Sequence, residues 1–411
     1  MHFSGSALGG IPLGGIPLEF IFFAAMLVLI AFVPRFAAAT AIGGALLVSG
    51  YKLLFSPFEE GAGWAGLAGH VAHEWVGLGN LLAMLLGFAL LAKHFENSRT
   101  PGALRRCLPQ GWTSGVLLLF AIFILASFLD NIAAAMIGGT MARAVFRGKV
   151  HVGYLAAIVA ASNAGGSGSV IGDTTTTMIW LSGVPPREVF SAYTAAVVAL
   201  LIVAIPASLS QHAYSPARKV EEEKTGVDWA SVAVVAFVLL LAIATNLLIN
   251  LRFADWSGVF PFLGLSVWVA LLAMTPLRRP DWLALPGVLK NSLFLLALVW
   301  CASMMPVKSL PPASWSGTFI FGAVSAVFDN IPLTALALKQ GGFDWGFLAY
   351  AVGFGGSLLW FGSSAGVALV DMFPEAKSTR KWIVQGWFVV PAYVIGFFFM
   401  LIVLGWHPGQ H

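Results

Sequence analysis

The sequence predicts an all-α polytopic membrane protein made of two inverted-topology repeats. Three observations carry that expectation: an extreme composition, apolar segments recurring along the whole chain, and a polar pattern that appears twice inside them. Of 411 residues, 59% are hydrophobic and only 10% are charged, against roughly 25% charged in ordinary soluble proteins. A soluble fold of this length cannot hide so much apolar surface. Composition therefore excludes a soluble enzyme, a disordered chain, a secreted disulfide scaffold and a nucleic-acid binder. The two cysteines, Cys107 and Cys301, lie far apart in unlike contexts, and no disulfide is expected. Fifteen Trp and 32 Phe suit interfacial belts and lipid-facing surfaces.

Taken in chain order, about 10 spans are expected, at 18–33, 36–55, 75–93, 152–182, 189–210, 229–251, 258–276, 286–305, 345–373 and 383–405. The first 17 residues carry no Lys or Arg. They lack the basic start of a cleavable signal peptide, so the first run reads as a retained span. Two further apolar stretches, 115–141 and 315–338, each hold an Asp-Asn pair near the middle. Both read as re-entrant hairpins turning at Asp130-Asn131 and Asp329-Asn330. Irregular backbone at membrane depth is tolerated only where protein or a water cavity satisfies it.

The distribution of basic residues tests this layout. With the N-terminus outside, every Lys and Arg falls inside except Lys52, Arg187, Arg252, Lys308 and Lys339. Treating the two Asp-Asn stretches as full crossings moves Arg143, Arg147, Lys149, Arg218, Lys219, Lys224, Arg278, Arg279 and Lys290 outside as well. The hairpin layout is the better one. It leaves both termini outside, in a multi-pass protein of the cell inner membrane.

The order of elements then repeats. Three spans, an Asp-Asn hairpin, a Gly/Ser-rich broken span (152–182) and a last span fill the first repeat, residues 1–210. The same six elements fill the second, 229–411, with its broken span at 345–373. The polar stretch 211–228, with Glu221, Glu222 and Glu223, reads as a cytosolic linker. The first repeat starts outside and the second inside, so the two are inverted. Inverted repeats with broken helices mark secondary transporters, whose sites lie near the midplane.

The expected membrane segments hold four acids away from loop ends, Asp130, Asp173, Asp329 and Asp371, and no Lys or Arg. A mid-span acid costs roughly 2.5–3.5 kcal/mol on insertion scales and is read as functional, with cations or protons as partners. Asp371 lies just before Pro374 and Lys377 and reads as an interfacial acid. The pairs Asp130-Asn131 and Asp329-Asn330 both continue with Ile. One member of each pair is expected to cap the following helix, and Pro332 suits a first helical turn.

The first broken span reads Ser162-Asn163-Ala164-Gly165-Gly166-Ser167-Gly168-Ser169-Val170-Ile171-Gly172-Asp173-Thr174-Thr175-Thr176-Thr177. Alternating Gly and Ser are poor helix material. An unwound stretch frees carbonyl oxygens, which with Asn, Ser, Thr and Asp side chains make hard ligands suited to alkali cations. The second broken span has Gly355-Gly356-Ser357 and Gly362-Ser363-Ser364-Ala365-Gly366, with no acid matching Asp173. The expected site is asymmetric, drawn from Asp130, Asn131, Asn163, Asp173, Thr174, Thr175, Asp329, Asn330, Ser363 and Ser364. Asp130, Asn163 and Asp173 are the expected Na+ ligands. Close helix packing through small residues is the competing reading of the Gly/Ser runs. A carboxylate in a low-dielectric cavity takes up a proton more readily than one in water, so proton and sodium can compete for it. That competition is enough to exchange one for the other, with no cofactor.

Weaker signals remain. His70-Val71-Ala72-His73-Glu74, with Glu59 and Glu60 nearby, reads as a polar outside loop rather than a metal site. The stretch 99–112, and its counterpart after Arg278-Arg279, are expected along the cytosolic interface.

The run Ile171-Gly172-Asp173-Thr174-Thr175-Thr176-Thr177-Met178-Ile179-Trp180 resembles the NhaD-type sodium/proton antiporters of the ion transporter superfamily. So do both Asp-Asn-Ile segments, the second continuing to Pro332. That resemblance implies an inverted-repeat homodimer with a scaffold domain and a moving transport domain, exchanging Na+ or Li+ for H+. Two departures stand beside it. The chain is compact, and its second break has serines in place of an acid. Those serines resemble the carboxylate carriers of the same superfamily, including citrate transporters. The Ser-Asn-Thr pattern of those carriers is met here only by Ser162-Asn163, followed by Ala164. The alternative function is therefore Na+- or H+-coupled symport of a small di- or tricarboxylate. An intramembrane aspartyl protease would show Gly-x-Gly-Asp, whereas this chain has Val170-Ile171-Gly172-Asp173, and the duplication would go unexplained.

Overall fold

The computed structural model describes residues 12–13, 16–33, 36–99, 109–217, 226–253, 256, 259–307, 310–328 and 330–409. Asp329, residues 218–225 of the expected linker and most of the stretch 99–112 lie outside the described residues. Apart from a two-residue ladder (Pro12–Leu13 with Ile16–Pro17), the regular structure described is helical.

The chain opens with α1 (Leu18–Phe32), α2 (Ala37–Phe55) and α3 (Gly63–Asn97). A helix pair follows, α4 (Trp112–Ala126) and α5 (Asn131–Val145), joined by the turn 127–130. Next come α6 (Val152–Ser167) and α7 (Thr174–Leu181), two pieces of a helix interrupted at 168–173. The short α8 (Pro186–Phe190) and the long α9 (Tyr193–Tyr214) close this half. The second half runs α10 (Trp229–Arg252), α11 (Phe262–Met274) and α12 (Leu285–Ser303), then a second pair, α13 (Trp315–Ser325) and α14 (Asn330–Gln340). A second interrupted helix follows, α15 (Trp345–Gly355) and α16 (Ser364–Met372), then α17 (Thr379–Gln385) and α18 (Val389–Leu404).

Among the described residues, four stretches are long and apolar enough to cross a membrane unaided: Ala37–Phe55, Gly63–Phe95, Pro186–Tyr214 and Trp282–Ser303. The bent pair α17–α18, with an angle of 59°, adds one more if taken as a single span. Several expected continuous spans are thus short or divided helices. At 1.5 Å per residue, the arms of the two helix pairs reach only about 16–22 Å, short of a hydrocarbon core of about 30 Å. Large apolar side chains face outward, with Leu46 and Leu54 70% exposed and Ile402 83% exposed. Hydrocarbon, not water, is the solvent for such a surface. The chain is a multi-pass membrane protein.

Packing divides the helices into two groups. One core draws on α4–α9 and α14–α18, with Leu155, Ala196, Phe347 and Phe397 among its buried residues. The other helices, α1–α3 and α10–α12, bury two smaller cores. The groups meet on α7 and α14: Ile179 joins the first core, whereas Met178 and Trp180 join the other two. Leu333 and Ile331 of α14 divide in the same way.

Close backbone approach explains the glycines at the breaks. A Cβ on Gly172 would lie 2.2 Å from the Ala126 carbonyl oxygen, and one on Gly362 would lie 2.5 Å from that of Ala326. The same contact thus occurs in both halves, between the end of one arm and the end of a break. Side-chain hydroxyls satisfy the backbone freed at 168–173. The Ser169 hydroxyl donates to the Ser127 carbonyl at 2.6 Å, Thr176 to Ser169 at 2.6 Å, and Thr177 to Val170 at 3.0 Å. This is the physical reason for Ser and Thr in that run.

One expectation about a loop is corrected. His70, His73 and Glu74 lie on α3, which begins at Gly63, not in a loop before a span at 75. His70 is buried between the Glu60 carboxylate (3.2 Å from Nδ1) and the Ser303 hydroxyl (3.0 Å from Nε2), so the helix continues through these polar residues on partners of its own. Among the described residues, no group of three or more His, Cys, Asp or Glu side chains is placed to hold a metal.

At the cytosolic end of the expected layout, Asp228 caps α10 and meets the Arg278 guanidinium through both carboxylate oxygens, at 2.8 and 3.0 Å. The hydrogen bond from Arg278 holds the Asp228 carboxyl well below its usual value. A depressed carboxyl contributes stability above its unfolded value, roughly pH 4, and loses it as pH falls through the folded value. Asp228→Asn should therefore lower the melting temperature slightly at neutral pH. The gap from the parent, followed by thermal unfolding in detergent across pH, should close in strong acid.

Candidate functional site

The two breaks and the two turns converge on Asp173. Its carboxylate caps α7, accepting from the Thr175 backbone N–H at 2.9 Å and from the Thr175 hydroxyl at 3.0 Å. Asn131, the first residue of α5, donates its amide to the other oxygen, Oδ2, at 2.8 Å. Asn330, the first residue of α14, reaches the same carboxylate from the second half at 3.3 and 3.4 Å. Asp173 is only 3% exposed. These amide and hydroxyl partners carry no charge, and the segments 115–141, 152–182, 315–338 and 345–373 contain no Lys or Arg.

Asn163, in the last turns of α6, ties the halves together. Its Oδ1 accepts from Asn131 at 3.1 Å, and its amide nitrogen donates to the hydroxyls of Ser357 (2.9 Å) and Ser363 (3.1 Å). Ser363 caps α16 as Asp173 caps α7, accepting from the Gly366 N–H at 3.2 Å. Asn163, Thr175 and Ser357 are fully buried. Asn163→Ala would leave two buried hydroxyls and one amide without this partner, at about 1–3 kcal/mol. A lower melting temperature in detergent and reduced transport are the expected results.

Asp130 does the capping in its pair. It accepts from the Ile132 N–H at 3.3 Å, while its neighbour Asn131 turns into the network. Asp130 and Asp173 nonetheless line one small cavity of about 20 Å³, with Thr174, Thr177, Leu81 and Phe88 among the other walls. That is room for about one water-sized body.

Of the residues singled out from sequence, Asn131, Asn163, Asp173, Thr175, Asn330 and Ser363 form one hydrogen-bonded network. Asp130 and Thr174 border its cavity. Ser364 is the half-buried first residue of α16, one position past the network. Asp329 lies outside the described residues. Ser357 was not among the residues singled out. Its position in the second Gly-Gly-Ser, matching Ser167 after Gly165-Gly166 in the first, is the signal that could have found it.

Polar breaks meeting inside an apolar helical protein are the construction of a secondary transporter, and that is the class of this protein. Over residues 20–355 the sequence matches the citrate transporter family (CitMHS), and the chain belongs to that family. It is similar to the sodium/proton antiporter 2 of Arabidopsis thaliana, 26% identical over 62% of this chain and 68% of that protein. It is also similar to the Na+/H+ antiporter NhaD of Vibrio parahaemolyticus, 26% identical over 71% of this chain and 83% of that protein. Among solved structures it is similar to the Alcanivorax borkumensis YdaH transporter, with a TM-score of 0.42 and 14% identity over 82% of this chain and 86% of that one.

Proposed function

We propose that this transporter exchanges Na+ or Li+ for H+, with Asp173 as the group the two ions share. The observation that carries the reading is a nearly buried carboxylate, held by neutral amides and hydroxyls, beside a cavity sized for one small body. A bare alkali ion fits that space; a tricarboxylate, which needs a pocket of roughly 300 Å³ or more, does not. Half a turn of the Asn131 and Asn330 amides would present their oxygens to the ion in place of the N–H groups now given to Asp173. The helix ends at Ser167 and Gly355 add carbonyl dipoles of the right sign for a cation. The N-termini of α5, α7, α14 and α16 favour the ionised carboxylate that the cation then neutralises. Asp130, Asn163 and Asp173 are the proposed ligands, with Asn131, Thr174, Thr175, Asn330, Ser363 and Ser364 around them; Asp329 is proposed with them from its place in the sequence alone. The ion gradients drive the exchange, without a cofactor.

The recurring arm-and-break contacts of Gly172 and Gly362 support two inverted repeats, residues 1–210 and 229–411. The basic residues support both termini outside a cell inner membrane, with about 10 crossings. A homodimer remains part of the proposal, on the resemblance carried by the run Ile171 to Trp180.

A second reading, cation-coupled uptake of a small carboxylate, rests on the description of the family and on a separate cavity of about 400 Å³. One assay separates the two. Vesicles holding a pH-sensitive dye and a preset gradient are given NaCl, LiCl, KCl or citrate in turn. Antiport predicts dequenching with NaCl and LiCl and none with KCl or citrate. A response to citrate, matched by uptake of labelled citrate, would favour symport.

A further inference from the structure

The larger cavity is walled by α3 and α7, with α12, α14 and the loop before α3 closing its other sides, and it stacks end to end on the small cavity at Asp173. Along α3, Gly77 and Leu78 line the large cavity, whereas Met84, Leu85 and Phe88 line the small one. Along α7, the order runs the other way. Leu181 and Ser182 face the large cavity, Thr174 and Thr177 the small one. Leu81 lines both. It is 3% exposed and belongs to the same buried cluster as Met178, which faces the large cavity one helical position beyond Thr177. The two walls are antiparallel and in step, so the two spaces form one groove with an apolar partition.

The far end of the groove is charged. Glu59, Glu60 and Glu74 line it, against one lysine, Lys339, whose Nζ is 3.9 Å from Glu59. Partial burial works against ionisation of Glu60, but its own backbone N–H and the His70 imidazole outweigh that and hold the carboxyl below its usual value. A cleft with a surplus of one sign concentrates ions of the other. Three carboxylates would repel citrate and draw a cation.

We infer that the groove between α3 and α7 is the route by which ions reach Asp173, and that Leu81 is its gate. An apolar constriction closes such a route by excluding water, and opens when the side chain withdraws. The glutamate end is the mouth. Its cation preference rests on the exchange reading above; the route and the gate do not.

The test uses thiol labelling of the full-length protein in detergent, with Cys107 and Cys301 replaced by Ser. Ser182→Cys reports on the large cavity and Thr177→Cys on the space beyond the gate. The probe is a positively charged methanethiosulfonate. Ser182→Cys should react quickly and Thr177→Cys slowly. Adding Leu81→Ala should speed reaction at Thr177→Cys by about ten-fold or more, as removal of an apolar constriction predicts, and leave Ser182→Cys unchanged. Leu81→Val serves in the same way should the alanine variant fold poorly, with the Ser182→Cys rate as the check on folding. Equal rates at both positions with Leu81 intact, or a Thr177→Cys rate indifferent to Leu81, would overturn the gate. A negatively charged reagent of the same type, normalised to its rate with a free thiol, should label Ser182→Cys more slowly. Faster labelling would overturn the cation-selecting mouth. Because labelling needs no transport, an active Asp173 variant would remove the exchange reading and leave this result standing.

Discussion

Asp173→Asn should abolish Na+-driven proton movement in proteoliposomes, by about 100-fold or more, equivalent to roughly 3 kcal/mol of lost discrimination. The substitution is close to isosteric. Its Oδ1 can still accept from the Thr175 N–H that Asp173 now caps, and Asn is as good a cap as Asp. Folding should survive while the charge does not. The other carboxylate at this cavity, Asp130, is engaged in capping α5 through the Ile132 N–H. Asp173→Glu keeps the charge but lengthens the side chain inside a cavity of about 20 Å³, so it should retain residual exchange at a higher Na+ requirement. A folded asparagine variant with parental flux would remove Asp173 from the mechanism.

The second large effect concerns the fold around the break. Gly172→Ala places a methyl group 2.2 Å from the carbonyl oxygen of Ala126, and Gly166 Cα is only 2.9 Å away. Both obstacles are backbone, so no side chain can swing aside. Overpacking a close contact costs typically 1–3 kcal/mol, occasionally more. Here the shift also moves Asp173, the next residue. Gly172→Ala should lower the melting temperature sharply and reduce the yield of monodisperse protein. Gly362→Ala, at 2.5 Å from Ala326, should behave alike. By contrast, Gly183→Ala has open space around its added carbon, although its φ of 95° strains the change, and it lies ten residues from Asp173. It should damage stability without the same loss of exchange. Parental melting behaviour in Gly172→Ala would show that the arm and the break are less tightly packed than described.

Much of the site was legible because its residues are anomalies in their surroundings. Asp, Asn and a Gly/Ser/Thr run stand out in a sequence that is otherwise Leu, Val, Ala and Phe, and each marks a helix end. The breaks fall inside the expected broken spans, at 168–173 and 356–363. The first turn falls at Asp130-Asn131, as the capping argument requires, and the second helix pair resumes at Asn330. What the pattern could not supply was which member of the pair faces the site. Asp130 caps and Asn131 enters the network, a division set by side-chain direction rather than residue type.

The start of α3 was missed for a related reason. Apolar counting begins the span at residue 75, because His70, His73 and Glu74 look like loop residues. All three line a cavity, and His70 has polar partners there in Glu60 and Ser303. Hydropathy records the side chain and not what it faces. Ser357 was hidden by the same limit. It is a small polar residue within a packing motif, and only its contact with Asn163 from the other half gives it a role.

The claim that one carboxylate serves both ions is tested most directly by proton release. Purified protein in weakly buffered detergent solution, with a pH indicator, is titrated with NaCl and then with KCl. The account predicts that NaCl expels protons in near-stoichiometric amount, that KCl does not, and that Asp173→Asn expels none. Sodium binding with no proton released, or release undiminished in Asp173→Asn, would contradict it.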